Sequence, residues 1–488
     1  MNQHSSASPA VGPVSERALP WLIVLFVGSG CAALIYEIVW FQMLQLVVGS
    51  SAVSLGTLLG TFMGGMCLGS LLLPRWISAR RNPLRVYACL EIGIGLIGLA
   101  VLYGLPALGA VYSNWTGYGH AGMALRGVVA AICLLPPTLF MGATLPAIAR
   151  SIETTPAGIS WLGFFYGGNI AGAVFGCLLA GFYLLRVYDV AVATYVAVAI
   201  NVGVAVVALL LSGRYQAGPE SATTPTSAEG SWVRTGSVYL AIFLSGLTAL
   251  GAEVVWTRLL SLLLGGTVYT FSIILAVFLT GLGIGSSLGS WFGRTSRHPG
   301  IALGICQLLL AGTIAWTAWQ LSVSLPFWPI RPSLSASPWF ILQLDLLRCL
   351  WAILPAACLW GASFPLALSA AAAPGQDPGR LVGRVYAANT VGAILGALAF
   401  SLLLVGTLGS QKSQRELMGL AGLSGASVLY GMIWSRRPGT PPLSVLRRIA
   451  ASLVVAAAGG LVVWGARQLP DIPWELVAFG RNVPTEVG

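Results

Sequence analysis

The stretch Ala32–Leu44, AALIYEIVWFQML, places a glutamate, Glu37, in the middle of a long apolar run. No other charged residue lies within ten positions of it on either side. An ionised carboxylate inside hydrocarbon costs about 2.5–3.5 kcal/mol on insertion scales, so such residues are rare in membrane helices. Nearly the same phrase returns as LGAEVVWTRLL, Leu250–Leu260, with Glu253 in the corresponding place. Each glutamate is followed three residues later by a tryptophan, Trp40 or Trp256, which puts the pair on one helix face. A charge tolerated once in apolar sequence is an oddity, whereas the same charge repeated 216 residues later (253 − 37) is a pattern.

Composition sets the class. Of 488 residues, 57% are hydrophobic and 8% charged, with a mean hydropathy of +0.85; soluble domains carry about 25% charged residues. The chain reads as an all-α polytopic membrane protein. The net charge of +11 comes from arginines scattered over short loops plus a single lysine, Lys412. That dispersal fits topology control and argues against nucleic acid as a partner. The eight cysteines fall in or beside apolar segments without a CxxC pair, and the only histidines are His4, His120 and His298. Neither a disulfide framework nor a metal site is expected, and no cofactor. Met1–Ala18 is polar and precedes an apolar run too long for a cleaved signal, so it reads as a cytoplasmic tail before the first span.

Apolar segments of about 20 residues are candidate spans. They fall near 19–47, 52–74, 86–112, 125–149, 161–185 and 190–212, then near 237–264, 268–292, 300–324, 342–371, 381–407 and 416–434. A polar linker, Arg214–Gly236, separates the two sets. A thirteenth candidate runs from about Ile449 to Trp464, after a basic loop, and a tail follows from residue 468 to 488. The offset of 216 also aligns Ser29 with Ser245, Gly49 with Gly265, Phe62 with Phe278, Gly65 with Gly281 and Gly69 with Gly285. YGGNIAGAVFG (Tyr166–Gly176) matches YAANTVGAILG (Tyr386–Gly396) at an offset of 220. The domains are therefore two six-helix repeats, 19–213 and 237–434. Six spans return the chain to its starting side, so the repeats are parallel, as in major-facilitator transporters. Loops on the N-terminal side hold Arg75, Arg80, Arg81, Arg85, Arg150, Arg214, Arg234, Arg294, Arg297, Arg380, Arg384, Arg436, Arg437, Arg447 and Arg448; the opposite loops hold Arg186, Arg331, Lys412 and Arg415. By the positive-inside rule the N-terminus is cytoplasmic, with a bacterial inner (plasma) membrane the expected location.

Rows of glycine four apart (Gly56, Gly60, Gly64; Gly168, Gly172, Gly176; Gly281, Gly285; Gly392, Gly396) predict close helix packing. Glu37, Trp40, Glu253 and Trp256 are the leading candidates for a substrate site: two carboxylates to bind a cation or exchange protons, and two indole faces for cation–π contact. The alternative is structural, with each glutamate locked to a partner, such as Glu253 to Arg258, or hydrogen-bonded between helices. Glu91 is a third membrane carboxylate with no identified counterpart in the second repeat. Asn169 and Asn389, three residues after Tyr166 and Tyr386, read as packing glue or as ligands. Asp345 and Arg348 read as a local ion pair, and Pro326–Phe340 as an aromatic interfacial loop. No soluble-enzyme motif is present, so no catalytic residue is assigned.

CAALIYEIVWFQMLQLVVGSS (Cys31–Ser51), its echo LTALGAEVVWTRLLSLLLGG (Leu247–Gly266) and the paired Tyr-x-x-Asn-x-x-Gly-Ala blocks resemble the membrane part of fused major-facilitator/spermidine-synthase-like proteins. The resemblance covers most of residues 20–434, and Pro470–Thr485 resembles the lead-in to that family's soluble aminopropyltransferase-like domain. It implies a facilitator-like module that binds or moves a cationic, polyamine-like amine, or a membrane scaffold for a soluble or exported aminopropyltransferase-like or other partner protein. The glycine-rich nucleoside turn and the acidic amine-binding residues of the catalytic part are missing from this sequence, so aminopropyl transfer by this polypeptide alone is not expected. A thirteenth segment that spans would put the tail outside; one lying along the membrane would leave it in the cytoplasm.

Overall fold

The structure, a computed structural model, describes residues 19–48, 51–77, 81–113, 120–149, 156–213, 232–296, 298–328, 337–372, 378–435 and 444–480. The N-terminal tail, most of the central linker and the middle of Pro326–Phe340 lie outside them. The first repeat comprises α1 (Leu19–Val48), α2 (Ser51–Trp76), α3 (Pro83–Ser113), α4 (His120–Ala149), α5 (Pro156–Leu178) and α6 (Val190–Ser212). The second comprises α7 (Trp232–Leu264), α8 (Val268–Thr295), α9 (Pro299–Trp319), α10 (Pro338–Ala371), α11 (Pro378–Leu398) and α12 (Val405–Trp434). α13 (Val445–Arg467) and the short α14 (Trp474–Phe479) follow. Among the described residues eleven helical stretches are long and apolar enough to cross a membrane, and α2 adds the shorter apolar Leu58–Leu72. No described residue is in a strand. The molecule is an all-α polytopic membrane protein.

The duplication is written into the packing. Within the first repeat α1 packs on α5 and α6, α2 on α4, and α3 on α4 and α6; within the second α7 packs on α11 and α12, α8 on α10, and α9 on α10 and α12. Glycine sets the tightest contacts at equivalent positions. A Cβ added at Gly30 would strike the Asn169 carbonyl, and one at Gly246 that of Asn389. Gly172 and Gly392 stand in the same relation to Val27 and Phe243, and Gly142 and Gly361 to Met66 and Leu282. Paired prolines recur too: Pro136 and Pro146 in α4 match Pro355 and Pro365 in α10, both 219 residues on. α5 runs on through a π-helical stretch, Leu179–Leu184, and α11 through Ala399–Leu404, again offset by 220. π-helical turns unsettle the regular ladder and persist where the fold holds them.

The repeats meet along α2 against α11 and α5 against α8. Several glycines on these seams have slack. A Cβ at Gly60 or Gly64 would stand 3.8 Å from Leu398 or Ile394, and one at Gly167 or Gly383 would stand 3.7 Å from Ser287 or Ser70. Gly181 against Ser272 and Gly283 against Ile170 are the tighter points. Toward the N-terminal face the two repeats share one apolar cluster that includes Phe26, Phe165, Phe364 and Leu381. Toward the opposite face lie two further clusters, one drawn mainly from the first repeat around Trp40 and one mainly from the second around Trp256.

Two expectations are adjusted. Residues 408–415 are not a loop: only Gly409, with φ of 81°, leaves helical geometry, so the chain turns there and re-enters helix at once. α13 has 23 residues, about 34 Å at 1.5 Å each, enough to cross a hydrocarbon core of about 30 Å. It lies on α12 and α9, and the tail beyond it packs at the end of the bundle where α12 begins: Gln411 Nε2 and the Arg415 guanidinium donate to the Leu469 carbonyl at 3.3 and 3.1 Å. Leu476 is buried, and Gly480 sits against Leu262 near the end of α7. The tail is thus on the face opposite the start of α1.

Candidate functional site

α1 and α7 occupy equivalent places in the two repeats and carry Glu37 and Glu253 inward. The side chains are 6% and 8% exposed, and Glu37 lies within electrostatic range of Glu253. Cys177 of α5 lies within range of both carboxylates. Among the described residues neither glutamate has an ion pair, and Arg258, the candidate partner for Glu253, is exposed on the far side of its helix. Two carboxylates from separate repeats therefore share one buried region, with no cation among the described residues paired to them.

The two tryptophans stand one turn further along the same helices, each packed inside its own cluster of aromatic rings. Trp40 is 1% exposed and stacks on Tyr36 with ring centroids 5.2 Å apart, near Phe62. Trp256 is equally buried, packs on Trp360 at 5.5 Å and donates from Nε1 to Gln414 Oε1 at 3.3 Å. On the α1–α8 and α5–α8 contacts, Phe41 meets Phe271 and Phe182 meets Tyr269, while Cys177 Sγ donates to the Ser272 carbonyl at 3.5 Å.

A small cavity of about 60 Å³ opens on the N-terminal side of the glutamates. Phe26, Met66, Ser70, Thr144, Tyr166 and Tyr386 contribute to its wall, together with Asn169. Its rim is aromatic: Tyr166 of the first repeat stacks on Phe364 of the second at 5.4 Å, Phe364 meets Tyr386 edge-on, and the Tyr386 hydroxyl donates to Met66 Sδ at 3.6 Å. Asn169 and Asn389 take equivalent positions, each with its amide oxygen against the glycine of the helix it crosses, Gly30 or Gly246. Asn169 thus serves packing on one side and faces the cavity on the other. Asp345 and Arg348 form a buried ion pair at 3.7 Å within α10, as their spacing predicts.

Glu91 stands apart, within the first repeat. It is fully buried, accepts from Ser29 Oγ and Asn201 Nδ2 at 2.6 Å each, and has the Tyr87 hydroxyl beside it. Tyr36 donates to Asn201 Oδ1 at 3.1 Å, which ties the network to the residue preceding Glu37. The sequence does hold a counterpart to Glu91: Gln307, at the same offset of 216 (307 − 91). A search for charged partners passes over it because it is neutral. Gln307 donates to Ser363 Oγ at 2.7 Å. Ser29, Asn201 and Cys177 carried no signal, since small polar residues in apolar helices are commonplace and their meeting is decided by helix packing.

The sequence matches no protein-family profile and no curated protein. Solved structures match throughout. A bacterial homologue of the iron transporter ferroportin, in an outward-facing state, aligns over 91% of this chain and all of its own, with a TM-score of 0.53 and 14% identity. The Escherichia coli fucose:proton symporter FucP aligns over 85% of this chain and 98% of its own, with a TM-score of 0.52 and 13% identity. A bacterial homologue of the human lysosomal transporter Spinster covers 93% and 98%, with a TM-score of 0.50 and 13% identity. At these identities the likeness is one of fold. The chain has the major-facilitator fold, and the resemblance to spermidine-synthase fusions is not carried by these matches.

Proposed function

We propose that this protein, built on a transporter fold, is a carrier for a small organic cation of the polyamine type, with Glu37 and Glu253 as its counter-charges. The observation that carries the reading is the placement of two buried carboxylates from equivalent helices of the two repeats within electrostatic range of each other, with no cationic side chain among the described residues paired to either. Such residues face cavities and substrate pathways in membrane proteins. A bound di- or polyamine supplies the missing positive charge, and the aromatic rim of the cavity toward the N-terminal face gives its methylene segments an apolar surface. Tight glycine contacts make each repeat a rigid body, and the slack on the seams between repeats gives those bodies room to rock, the motion by which parallel repeats expose a central site to alternate sides.

The test uses the full chain in proteoliposomes with spermidine as probe. Glu37→Gln combined with Glu253→Gln is expected to lower spermidine exchange at least about tenfold, since losing one member of a buried charge pair costs about 2–5 kcal/mol and 1.4 kcal/mol is tenfold. Exchange unchanged by the double substitution, or absent from the wild type, overturns the reading.

A further inference from the structure

We infer that Glu91 is a proton-binding site of the first repeat, separate from the Glu37–Glu253 pair and connected to α1 through Asn201 and Tyr36. Four observations converge on it. Glu91 is fully buried and, among the described residues, has no basic partner, so a permanent negative charge there would stand uncompensated at membrane depth. The groups facing it are neutral: Ser29 and Tyr36 from α1, Tyr87 on its own helix and Asn201 from α6, while α4 contributes Phe140 beside Gly93. The tyrosines are the titratable members of that set. The second repeat fills the equivalent position with Gln307, the neutral shape of a protonated glutamate, which donates to Ser363 Oγ of α10. Finally, the network serves both protonation states. The acid donates its proton to Ser29 Oγ and accepts from Asn201 at Oε2; the carboxylate accepts from both.

The 2.6 Å separation between Ser29 Oγ and Glu91 Oε1 fits either arrangement, since O–H···O bonds to carboxyl groups run from about 2.5 to 2.8 Å, and the Asn201 amide donates to Oε2 in both. The two bonds also leave both oxygens engaged by protein donors, which a metal cation would have to displace. On release the O–H bond of Glu91 breaks, its electron pair stays on Oε1, the proton passes to water, and the Ser29 hydroxyl turns to donate. On uptake these changes reverse. The exchange is confined to the first repeat because Gln307 cannot take part. Tyr36 is held by Asn201 and directly precedes Glu37, so a change in how Glu91 holds Asn201 reaches the helix that carries the central carboxylate.

The test needs no knowledge of the transported molecule, and the probe is the proton itself. Full-length protein in nanodiscs is followed by infrared spectroscopy as pH is varied. One band of a buried carboxylic C=O group is expected, lost in Glu91→Gln and kept in the double variant Glu37→Gln/Glu253→Gln. Asn201→Ala, which removes the donor to Oε2, is expected to shift the frequency of that band, so the assignment does not hang on one variant. A band untouched by Glu91→Gln and unmoved by Asn201→Ala overturns the proposal, as does its loss on adding sodium at constant pH. Spermidine exchange in parallel samples keeps the two readings apart: its absence with the Glu91 band intact sinks the carrier assignment and leaves this site standing.

Discussion

Gly172 marks how closely α1 and α5 approach: an added Cβ would lie on the Val27 backbone, which cannot step aside as a side chain can. Overpacking of this kind costs about 1–3 kcal/mol. Gly172→Ala is expected to lower the thermal midpoint of the detergent-solubilised protein. Gly64→Ala, whose Cβ would clear Ile394 at 3.8 Å, is expected to leave it unchanged or raise it, since Ala favours helix by about 1 kcal/mol over Gly. Equal midpoints for the two variants would refute the contrast. The residue scale is also where the sequence was most uneven. Glu37 and Glu253 announced themselves, because a carboxylate in an apolar run is conspicuous and its repetition more so. Ser29, Tyr36 and Asn201 did not, because their significance lies in meeting Glu91 across 62, 55 and 110 positions of chain (91 − 29, 91 − 36, 201 − 91).

The turn inside α12, near its start, is made by one residue. Gly409 alone has a positive φ there, and a residue with a Cβ pays about 1–2 kcal/mol in that conformation. Gly409→Ala is therefore expected to lower the thermal midpoint, whereas Gly406→Ala, in helical backbone with open space around it, is not; a Gly409→Ala protein as stable as wild type would show the turn to be made otherwise. Hydropathy reads Gln411, Lys412, Gln414 and Arg415 as a loop because they are polar. They are helical because their partners arrive from elsewhere: the Leu469 carbonyl for Gln411 and Arg415, and Trp256 for Gln414. The twin π-helical stretches after α5 and α11 were equally hidden, since Leu-Ala-Gly-Phe-Tyr-Leu and Ala-Phe-Ser-Leu-Leu-Leu share backbone geometry and little sequence.

For the whole molecule, the tail packs opposite the N-terminal face, and by the positive-inside rule the arginine-rich loops predict a cytoplasmic N-terminal face. A cysteine at Val477, which is exposed beyond α13, is expected to react with a membrane-impermeant maleimide on intact cells. One at exposed Arg75 is expected to react only after permeabilisation, each read above the labelling of the native cysteines. Labelling of both from the same side would mean that α13 does not span. Any domain following such a tail would stand outside, away from a cytoplasmic pool of aminopropyl donor, which weighs against a scaffold for that chemistry. Local composition was enough to determine the all-α membrane class, because insertion into hydrocarbon depends on runs of about 20 apolar residues, and the repeat was legible because it survives as matching letters. Only tertiary structure decided that Glu37 and Glu253 share one buried region, that Glu91 is held by α1 and α6, and which glycines lie against a neighbouring helix backbone and which have space around them. Those are distances between helices far apart in the chain, fixed by how side chains fit when the backbones close.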